Sequence, residues 1–137
     1  YFATFPSVKQ FLESQKDSIL KNGYSSTLLG RKRYFDFFSA TEFMRANFLR
    51  EGVNTIFQGS AADLIKLSMN EIYKKIESLD NDCFMLLQVH DELIFEIKDS
   101  IIESLSKELK EIIENIYTLK VPLVCNLSIG NTWAELK

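Results

Sequence analysis

Residues 85–97 restrict the possible folds of this chain more than any other stretch. They read MLLQVHDELIFEI, in which two apolar runs flank a charged cluster. The runs predict strands over residues 83–89 and 93–97, joined so closely that they must be antiparallel. The link holds His90, Asp91 and Glu92 instead of the Asn-Gly or Gly-rich pair that is usual in a hairpin. The sequence therefore predicts a hairpin with titratable groups at its tip.

Apolar periodicity and turn residues predict the other elements. Helices are expected over residues 5–21, 40–55 and 60–78 and from residue 100 onward. Further strands are expected over residues 24–27, 31–35 and 123–129, the first two forming a hairpin around Gly30. This order predicts an α+β fold, with an antiparallel sheet and helices packed on one of its faces. We expect a single domain over residues 1–137.

Two helix starts carry a recognisable signal. Gly59 is expected to break the helical pattern, and Ser60 and Asp63 then have the spacing of a capping box. Ser100 and Glu103 repeat that spacing before the last helix. Gly52, inside the second helix, costs about 1 kcal/mol relative to Ala, and it would permit close approach of another backbone.

Apolar stripes predict which side chains face inward. On the third helix the stripe consists of Ile65, Met69, Ile72, Tyr73 and Ile76. On the last helix it consists of Ile101, Leu105, Leu109, Ile112, Ile113 and Ile116. The strands at 83–97 are nearly all apolar at their flanks, so both of their faces are expected to be covered.

The composition fits a globular protein, and its charge is unevenly distributed. The 137 residues are 46% hydrophobic and 26% charged, with a formal net charge of −3. An acidic balance argues weakly against nucleic-acid binding. Residues 31–50, however, hold only Asp36 and Glu42 against five basic residues: Arg31, Lys32, Arg33, Arg45 and Arg50. A positive patch can therefore exist on an acidic chain.

Three further observations limit the class of protein. No apolar run approaches the roughly 20 residues that a membrane-spanning helix needs. Cys83 and Cys125 lie in apolar runs without Cys-x-x-Cys spacing, so we expect buried free thiols. The chain begins with Tyr1 and not with Met, which suggests a piece of a longer protein.

The carboxylates at the hairpin tip suggest a metal site. Asp91 and Glu92 offer oxygen ligands, which favours a divalent cation such as Mg²⁺. His90 is the only histidine, so the three protein ligands of a zinc enzyme are not available. The alternative is a turn aspartate bonded to its own backbone beside a solvated glutamate. Strands that converge on acidic groups favour a functional site over that alternative.

A second candidate site is a row of hydrogen-bond donors. Arg50, Asn54 and Gln58 are spaced by four, so they share one face if the helix persists. The DNA minor groove presents purine N3 and pyrimidine O2 acceptors for every base pair, so such a row could test base-pair shape without reading sequence. Arg31 and Arg45, with Lys32 and Arg33, could bind flanking phosphates. A polar solvated helix face is the alternative.

Four segments together resemble family A DNA polymerases. QVHDELIFE resembles the third conserved polymerase motif of that family, and REGVNTIFQGSAADLIKLSM resembles the segment before it. GRKRYF resembles the family's Gly-Arg-basic turn, and GNTWAELK resembles its C-terminal end. The resemblance covers essentially the whole chain. Leu49 and Ile56 depart from the family, which usually has Glu and Pro there.

The resemblance implies a role for each matching residue. Asp91 is similar to the palm aspartate that binds catalytic metal, and Glu92 to its acidic neighbour. His90 is similar to the family's histidine near the primer terminus. Arg50, Asn54 and Gln58 match residues that contact the minor groove of primer-template DNA.

The activity implied is that of a DNA-directed DNA polymerase, a nucleotidyltransferase of DNA replication and repair. It would add deoxynucleotides to a primer 3′-hydroxyl by two-metal-ion phosphoryl transfer, with Mg²⁺ as cofactor. Its partners would be primer-template DNA and deoxynucleoside triphosphates, in a monomeric enzyme of the bacterial cytoplasm or of an organelle. The chain would be the C-terminal part of the palm with the end of the fingers at its N-terminus.

We expect the chain to be inactive alone, because two-metal catalysis needs a second carboxylate position. The alternatives are a non-catalytic DNA-binding module and a metal-dependent phosphoesterase.

Overall fold

The computed structural model describes residues 3–136. In chain order its elements are α1 (Pro6–Asn22), β1 (Tyr24–Ser26), β2 (Lys32–Tyr34), α2 (Glu42–Asn54), a π-helical segment (Thr55–Gly59), α3 (Ser60–Ile76), β3 (Cys83–Val89), β4 (Glu92–Ile97), α4 (Ile102–Glu114) and a 3₁₀ turn (Trp133–Glu135).

Two compact units make up the chain, one ending at Asp63 and the other beginning at Leu64. The predicted α+β class is confirmed. The expectation of one sheet is wrong for the described residues, because β1 pairs only with β2 and β3 only with β4, both antiparallel. The single domain expected over residues 1–137 stays a prediction.

The first unit begins with the helix and hairpin that the sequence predicts. α1 has Pro6 in its first turn, and Gly23 ends it in the left-handed conformation with φ of 73°. The N–H of Gly23 donates to the carbonyl of Ile19, which satisfies the last turn. Gly30, at φ of 84°, occupies the turn between β1 and β2. The hairpin therefore follows directly from the helix cap.

Gly52 allows α2 to pack closely on α1. A Cβ atom at position 52 would lie 2.9 Å from Cδ1 of Ile19 and 3.3 Å from the ring of Phe35. Ile19 and Gly52 are both buried. The expected close approach is thus present, although Gly52 meets side chains and not a backbone.

The helix does not break at Gly59, so that expectation is wrong. α2 continues through the π-helical segment into α3, and Ser60 itself is helical at φ −66° and ψ −42°. An N-cap residue has non-helical dihedrals, so the capping box at residues 60–63 is also wrong. The Ser60 hydroxyl instead accepts from the N–H of Leu28 at 2.8 Å and donates to the carbonyl of Ile56.

The second unit has its core between α3, α4 and one face of the β3–β4 hairpin. The buried cluster consists of Ile72, Ile76, Cys83, Leu105 and Leu109, with partly buried Met85, Leu93, Phe95, Ile97, Ile101, Ile112 and Ile113 packed against it. The predicted stripe on α4 is therefore largely confirmed. On α3 the inward prediction fails at Tyr73, which is 57% exposed.

The start of α4 differs from its prediction. Ile101 is the residue before the helix, and no side chain caps it. The capping box expected from Ser100 and Glu103 is therefore absent, although the helix begins within two residues of the expected place.

The opposite face of the β3–β4 hairpin carries exposed apolar side chains. Phe84, Leu86 and Leu87 are 44%, 51% and 47% exposed. The expectation that both faces are covered is therefore wrong for residues 3–136.

The final predicted strand does not form. Residues 123–129 have no strand pairing within the described chain. Side chains of α4 take the place of a ladder at Cys125: its N–H donates to Glu114 Oε1 at 2.8 Å, and its carbonyl accepts from Lys110 Nζ at 2.7 Å. Both cysteines are free as predicted, but only Cys83 is fully buried, while Cys125 is half-buried.

Candidate active-site and nucleic-acid-binding residues

The hairpin tip is a two-residue turn with a strained residue. Val89 pairs with Glu92, which leaves His90 and Asp91 as the turn. His90 has φ of 54°, in the left-handed region that costs a non-glycine residue about 1–2 kcal/mol. Gln88 Nε2 donates to the carbonyl of His90 at 2.7 Å, which helps to hold the turn. Such strain persists where the surrounding structure over-determines it, and it is concentrated at functional sites.

A β-bulge lies three to five residues before that turn. The register shifts between Met85 and Leu87, so that Met85 opposes Phe95 while Leu87 opposes Ile94. A bulge bends its strand and redirects the side chains beyond it, and bulges are frequent beside active sites. The direction of the tip is therefore set by the strand as well as by the turn.

All three titratable residues of the tip are exposed, as a site open to substrate requires. Among residues 3–136 no three His, Cys, Asp or Glu side chains gather closely enough to hold a metal ion by themselves. Asp91 and Glu92 supply two carboxylates only. That donor set fits Mg²⁺, which usually keeps several waters and is bound by one or two carboxylates together with substrate phosphates. It does not fit a closed, all-protein metal cage.

The donor row lies in the first unit, where Asn54 and Gln58 are in direct contact. Asn54 Nδ2 donates to Gln58 Oε1 at 3.1 Å, so the Gln58 oxygen is used as an acceptor and its amide hydrogens face elsewhere. Arg50 Nη2 donates to Asn47 Oδ1 at 3.1 Å. Arg50, Asn54 and Gln58 are all exposed. The side chains are therefore accessible donors.

An open depression of about 420 Å³ lies beside two members of this row. It is lined by Arg50, Glu51, Val53, Asn54 and Phe57. The predicted helical spacing places Arg50 and Asn54 there correctly. Gln58 lies in the π-helical segment and does not line the depression, although its side chain contacts Asn54 four residues earlier.

Several residues of the expected positive patch are already engaged. Arg33 forms an ion pair with Glu51, and Lys32 lies 4.3 Å from the centre of the Tyr24 ring. Arg45 Nε donates to the carbonyl of Ala40 at 3.2 Å.

Arg31 is bound most extensively. Its Nε donates to Asp63 Oδ1 at 2.7 Å and its Nη2 to the carbonyl of Gly59 at 3.1 Å. Contacts of Arg31 and Arg45 with DNA phosphates stay predictions.

Sequence reasoning missed the role of Asp63. This carboxylate is only 7% exposed, and it accepts from Thr27 Oγ1 at 2.6 Å as well as from Arg31. The available signal was charge complementarity between the run of basic residues in the hairpin and this acid in the following helix. Because Ser60 and Asp63 have the spacing of a capping box, the sequence predicts Asp63 as part of a helix cap and not as a partner of Arg31.

Comparison with known proteins assigns the family. The family model for DNA polymerase family A matches residues 1–135. The chain belongs to DNA polymerase family A. DNA polymerase I of Helicobacter pylori (strain ATCC 700392 / 26695) is 46% identical over all of this chain, and the thermostable DNA polymerase I of Thermus aquaticus is 37% identical over all of it. The chain spans 15% and 16% of the lengths of these two relatives.

A solved structure of a polymerase domain has the same fold. The POL domain of Pol1 from M. smegmatis, in complex with DNA primer-template and dNTP, matches with a TM-score of 0.84 and 39% identity. The match covers 90% of this chain and 22% of that one. Membership of the polymerase family implies a requirement for a divalent metal. No helix among the described residues is long and apolar enough to cross a membrane.

Proposed function

We propose that this chain is the C-terminal part of the palm, with the end of the fingers, of a DNA-directed DNA polymerase of replication and repair. The observation that carries the proposal is Asp91, an exposed carboxylate on a strained two-residue turn, in a chain of DNA polymerase family A. The longer enzyme would act as a monomer in the bacterial cytoplasm. Its substrates would be primer-template DNA and deoxynucleoside triphosphates.

Asp91 and Glu92 would hold Mg²⁺, with Asp91 as the principal ligand. When bound, the cation supplies electrostatic stabilisation of the attacking and leaving oxygens in an in-line displacement. The hairpin keeps Asp91 in place because β3 and β4 are paired on both sides of the bulge and anchored in the core. A site on rigid strands keeps the geometry that catalysis needs. His90, beside Asp91, would lie near the primer end.

Arg50, Asn54 and Gln58 would contact the minor groove. The contact between Asn54 and Gln58 uses the Gln58 oxygen, so the Gln58 Nε2 hydrogens are left to donate to purine N3 or pyrimidine O2. These acceptors occupy the same places in every correct base pair, so the contact depends on the shape of the base pair and not on its sequence. Arg31 and Arg45 would contribute at most general attraction to phosphates.

The test is substitution of Asp91 in the full-length polymerase. Asp91→Ala should reduce primer extension by at least about a hundredfold, the scale of losing one electrostatic contribution to a transition state. DNA affinity should stay close to that of the unaltered enzyme. Glu96→Ala is the matched control, since Glu96 is an exposed carboxylate on the same hairpin. A comparable loss of DNA affinity in Asp91→Ala would make Asp91 structural.

The isolated 137-residue chain should not extend a primer. Its described residues offer one carboxylate pair at the tip, whereas two-metal chemistry needs at least two metal-binding carboxylate positions held apart on the sheet. Extension by the purified chain that disappears in Asp91→Ala would contradict this. A full-length protein that binds primer-template DNA and incorporates no nucleotide would favour the non-catalytic DNA-binding module.

Gln58→Ala tests the donor row in the full-length enzyme. We expect extension from mismatched primer ends to rise relative to matched ends, or primer-template affinity to fall by about tenfold, the effect of one lost hydrogen bond. Gln10→Ala, at an exposed position on α1, is the control. No change in either quantity would mean that the row is a solvated helix face that does not contact DNA.

A further inference from the structure

The turn of the β1–β2 hairpin is hydrogen-bonded to the continuous helix that carries Gln58. Asp63 accepts from Thr27 Oγ1 at 2.6 Å and from Arg31 Nε at 2.7 Å, and its side chain is 8% exposed. Thr27 is itself buried, and its hydroxyl also accepts from the N–H of Arg31 at 3.1 Å. A charge-assisted pair with a buried member is stronger than an ordinary surface contact. These three residues therefore form one rigid cluster.

The same hairpin turn reaches the helix backbone directly. Arg31 Nη2 donates to the carbonyl of Gly59 at 3.1 Å, and the N–H of Leu28 donates to the Ser60 hydroxyl at 2.8 Å. The Ser60 hydroxyl in turn donates to the carbonyl of Ile56. A carbonyl oxygen has two lone pairs, so a helix carbonyl can accept a side-chain hydrogen bond in addition to its backbone bond. The contacts fall on the π-helical segment and on the residue that follows it.

Gly59 permits this approach. A Cβ atom at position 59 would lie 2.8 Å from Cγ2 of Thr27 and 3.4 Å from Nη2 of Arg31. Gly59 is the residue directly after Gln58, so the hairpin binds the backbone beside the Gln58 side chain, which the proposed function places in the minor groove. π-Helical turns are rare, and they are often found at functional sites.

We propose that Thr27, Arg31 and Asp63 act as a clamp that fixes the π-helical segment and so sets the direction of the Gln58 amide. The inference deepens the proposed function and rests on it: the clamp residues are positioning residues for the minor-groove contact. Arg31 then acts through the helix backbone and not through a DNA phosphate. Its Nε and Nη2 groups are both occupied, and Asp63 neutralises its charge.

Arginine and lysine distinguish the two roles of position 31. A phosphate contact needs a positive charge, which lysine keeps. The clamp needs a planar fork that reaches Asp63 and the Gly59 carbonyl together, which the single ammonium of lysine does not provide. Asp63 gives a second, independent test, because a phosphate contact made by Arg31 does not require that buried carboxylate.

The experiment measures primer extension by the full-length polymerase on two primer-templates. One carries guanine at a pair in or next to the primer terminus, and the other carries 3-deazaguanine there, which lacks the N3 acceptor of the minor groove. The readout is the ratio of the two rates. We expect the unaltered enzyme to favour guanine by about tenfold, equivalent to about 1.4 kcal/mol for one hydrogen bond. Gln58→Ala should bring the ratio close to one.

The clamp predicts that Arg31→Lys and Asp63→Asn also bring the ratio close to one. Two controls on α1 match these charge changes. Lys21→Arg keeps one positive charge and Asp17→Asn removes one negative charge, and both should keep the ratio of the unaltered enzyme. If Arg31→Lys and Asp63→Asn keep that ratio while Gln58→Ala loses it, the clamp is overturned and the proposed function stands. A variant that yields less folded protein lowers both rates equally and does not change their ratio. A variant with low rates and the ratio of the unaltered enzyme therefore also contradicts the clamp.

Failure of the proposed function has a different pattern. An unaltered enzyme with a ratio near one, or a Gln58→Ala variant with an unchanged ratio, would overturn the minor-groove role of Gln58 and the clamp with it.

Discussion

The carboxylate of Glu114 accepts the backbone N–H of Cys125 at 2.8 Å, joining α4 to the extended segment that follows it. Lys110, one turn earlier on α4, donates to the carbonyl of Cys125 at 2.7 Å and lies 3.5 Å from Glu114. One residue of the segment is thus held at both of its backbone polar groups by a single ion pair. These charges also surround the Cys125 thiol.

The first prediction concerns the acidity of that thiol. Burial raises the pKa of Cys125, the Glu114 carboxylate raises it further, and the Lys110 ammonium lowers it. Glu114→Gln keeps an oxygen acceptor for the backbone but removes the negative charge, so the pKa of Cys125 should fall towards the ordinary cysteine value. Because the thiolate is the nucleophile, the pH profile of alkylation should shift to lower pH. Peptide mass spectrometry after timed iodoacetamide labelling measures it.

Cys83 is the internal control for this measurement. Burial alone raises the pKa of Cys83, so its profile should not respond to Glu114→Gln. Glu111→Gln, an exposed acid on the same helix, should leave both cysteines unchanged. The same shift in Glu111→Gln, or none in Glu114→Gln, would contradict a local effect of Glu114.

The second prediction concerns Asp36. The Ser39 hydroxyl donates to its carboxylate at 2.6 Å, and the N–H groups of Ser39 and Phe38 donate to it as well. These bonds, that of the Ser39 hydroxyl first, lower the pKa of Asp36. Ser39→Ala should therefore raise the pKa of Asp36 towards the ordinary aspartate value, as measured by titrating the carboxyl carbon by NMR.

The sign of the accompanying stability change follows from linkage. Because the folded pKa of Asp36 is depressed, its contribution is present above the unfolded pKa and is lost as pH falls through the folded pKa. The destabilisation by Ser39→Ala should consequently be larger at neutral pH than in acid. Ser78→Ala removes a hydroxyl that donates to the carbonyl of Lys75, so its effect should not vary over that acidic range. Equal pH dependence in the two variants would argue against the carboxylate contact.

Local patterns predicted the elements whose partners are close in sequence. The β3–β4 hairpin and the β1–β2 hairpin each formed where expected, because a tight turn leaves neighbouring strands no other partner. The exposed carboxylates at the tip follow from the same pattern. Their roles in catalysis stay predictions.

Features that depend on distant residues were missed. Ser60 and Asp63 have the spacing of a helix start, but Thr27, Leu28 and Arg31, about thirty residues away, bind them inside a continuous helix. Residues 123–129 have the composition of a strand, yet strand formation needs a partner ladder, and at Cys125 the side chains of α4 take its place. Neither outcome is visible in a window of neighbouring residues.

The last prediction concerns the packing of Gly52 against Ile19. Gly52→Ala adds a methyl group that would lie 2.9 Å from Cδ1 of the buried Ile19. The higher helix propensity of alanine should stabilise the fold by about 1 kcal/mol. Overpacking against Ile19 should destabilise it by about 1–3 kcal/mol. We expect net destabilisation in urea unfolding. In the Ile19→Val background the nearest clashing atom is gone, and Gly52→Ala should cost less by about 1 kcal/mol.

A conservative change elsewhere on α1 serves as the control for that cycle. Leu20 is 46% exposed. Its side chain contributes none of the three atoms that lie nearest to the added methyl group, so Leu20→Val leaves those contacts in place. The cost of Gly52→Ala should therefore be the same in the Leu20→Val background as in the unaltered chain. Strictly additive free energies in the Ile19→Val cycle would mean that the contact with Ile19 is not what disfavours a side chain at position 52.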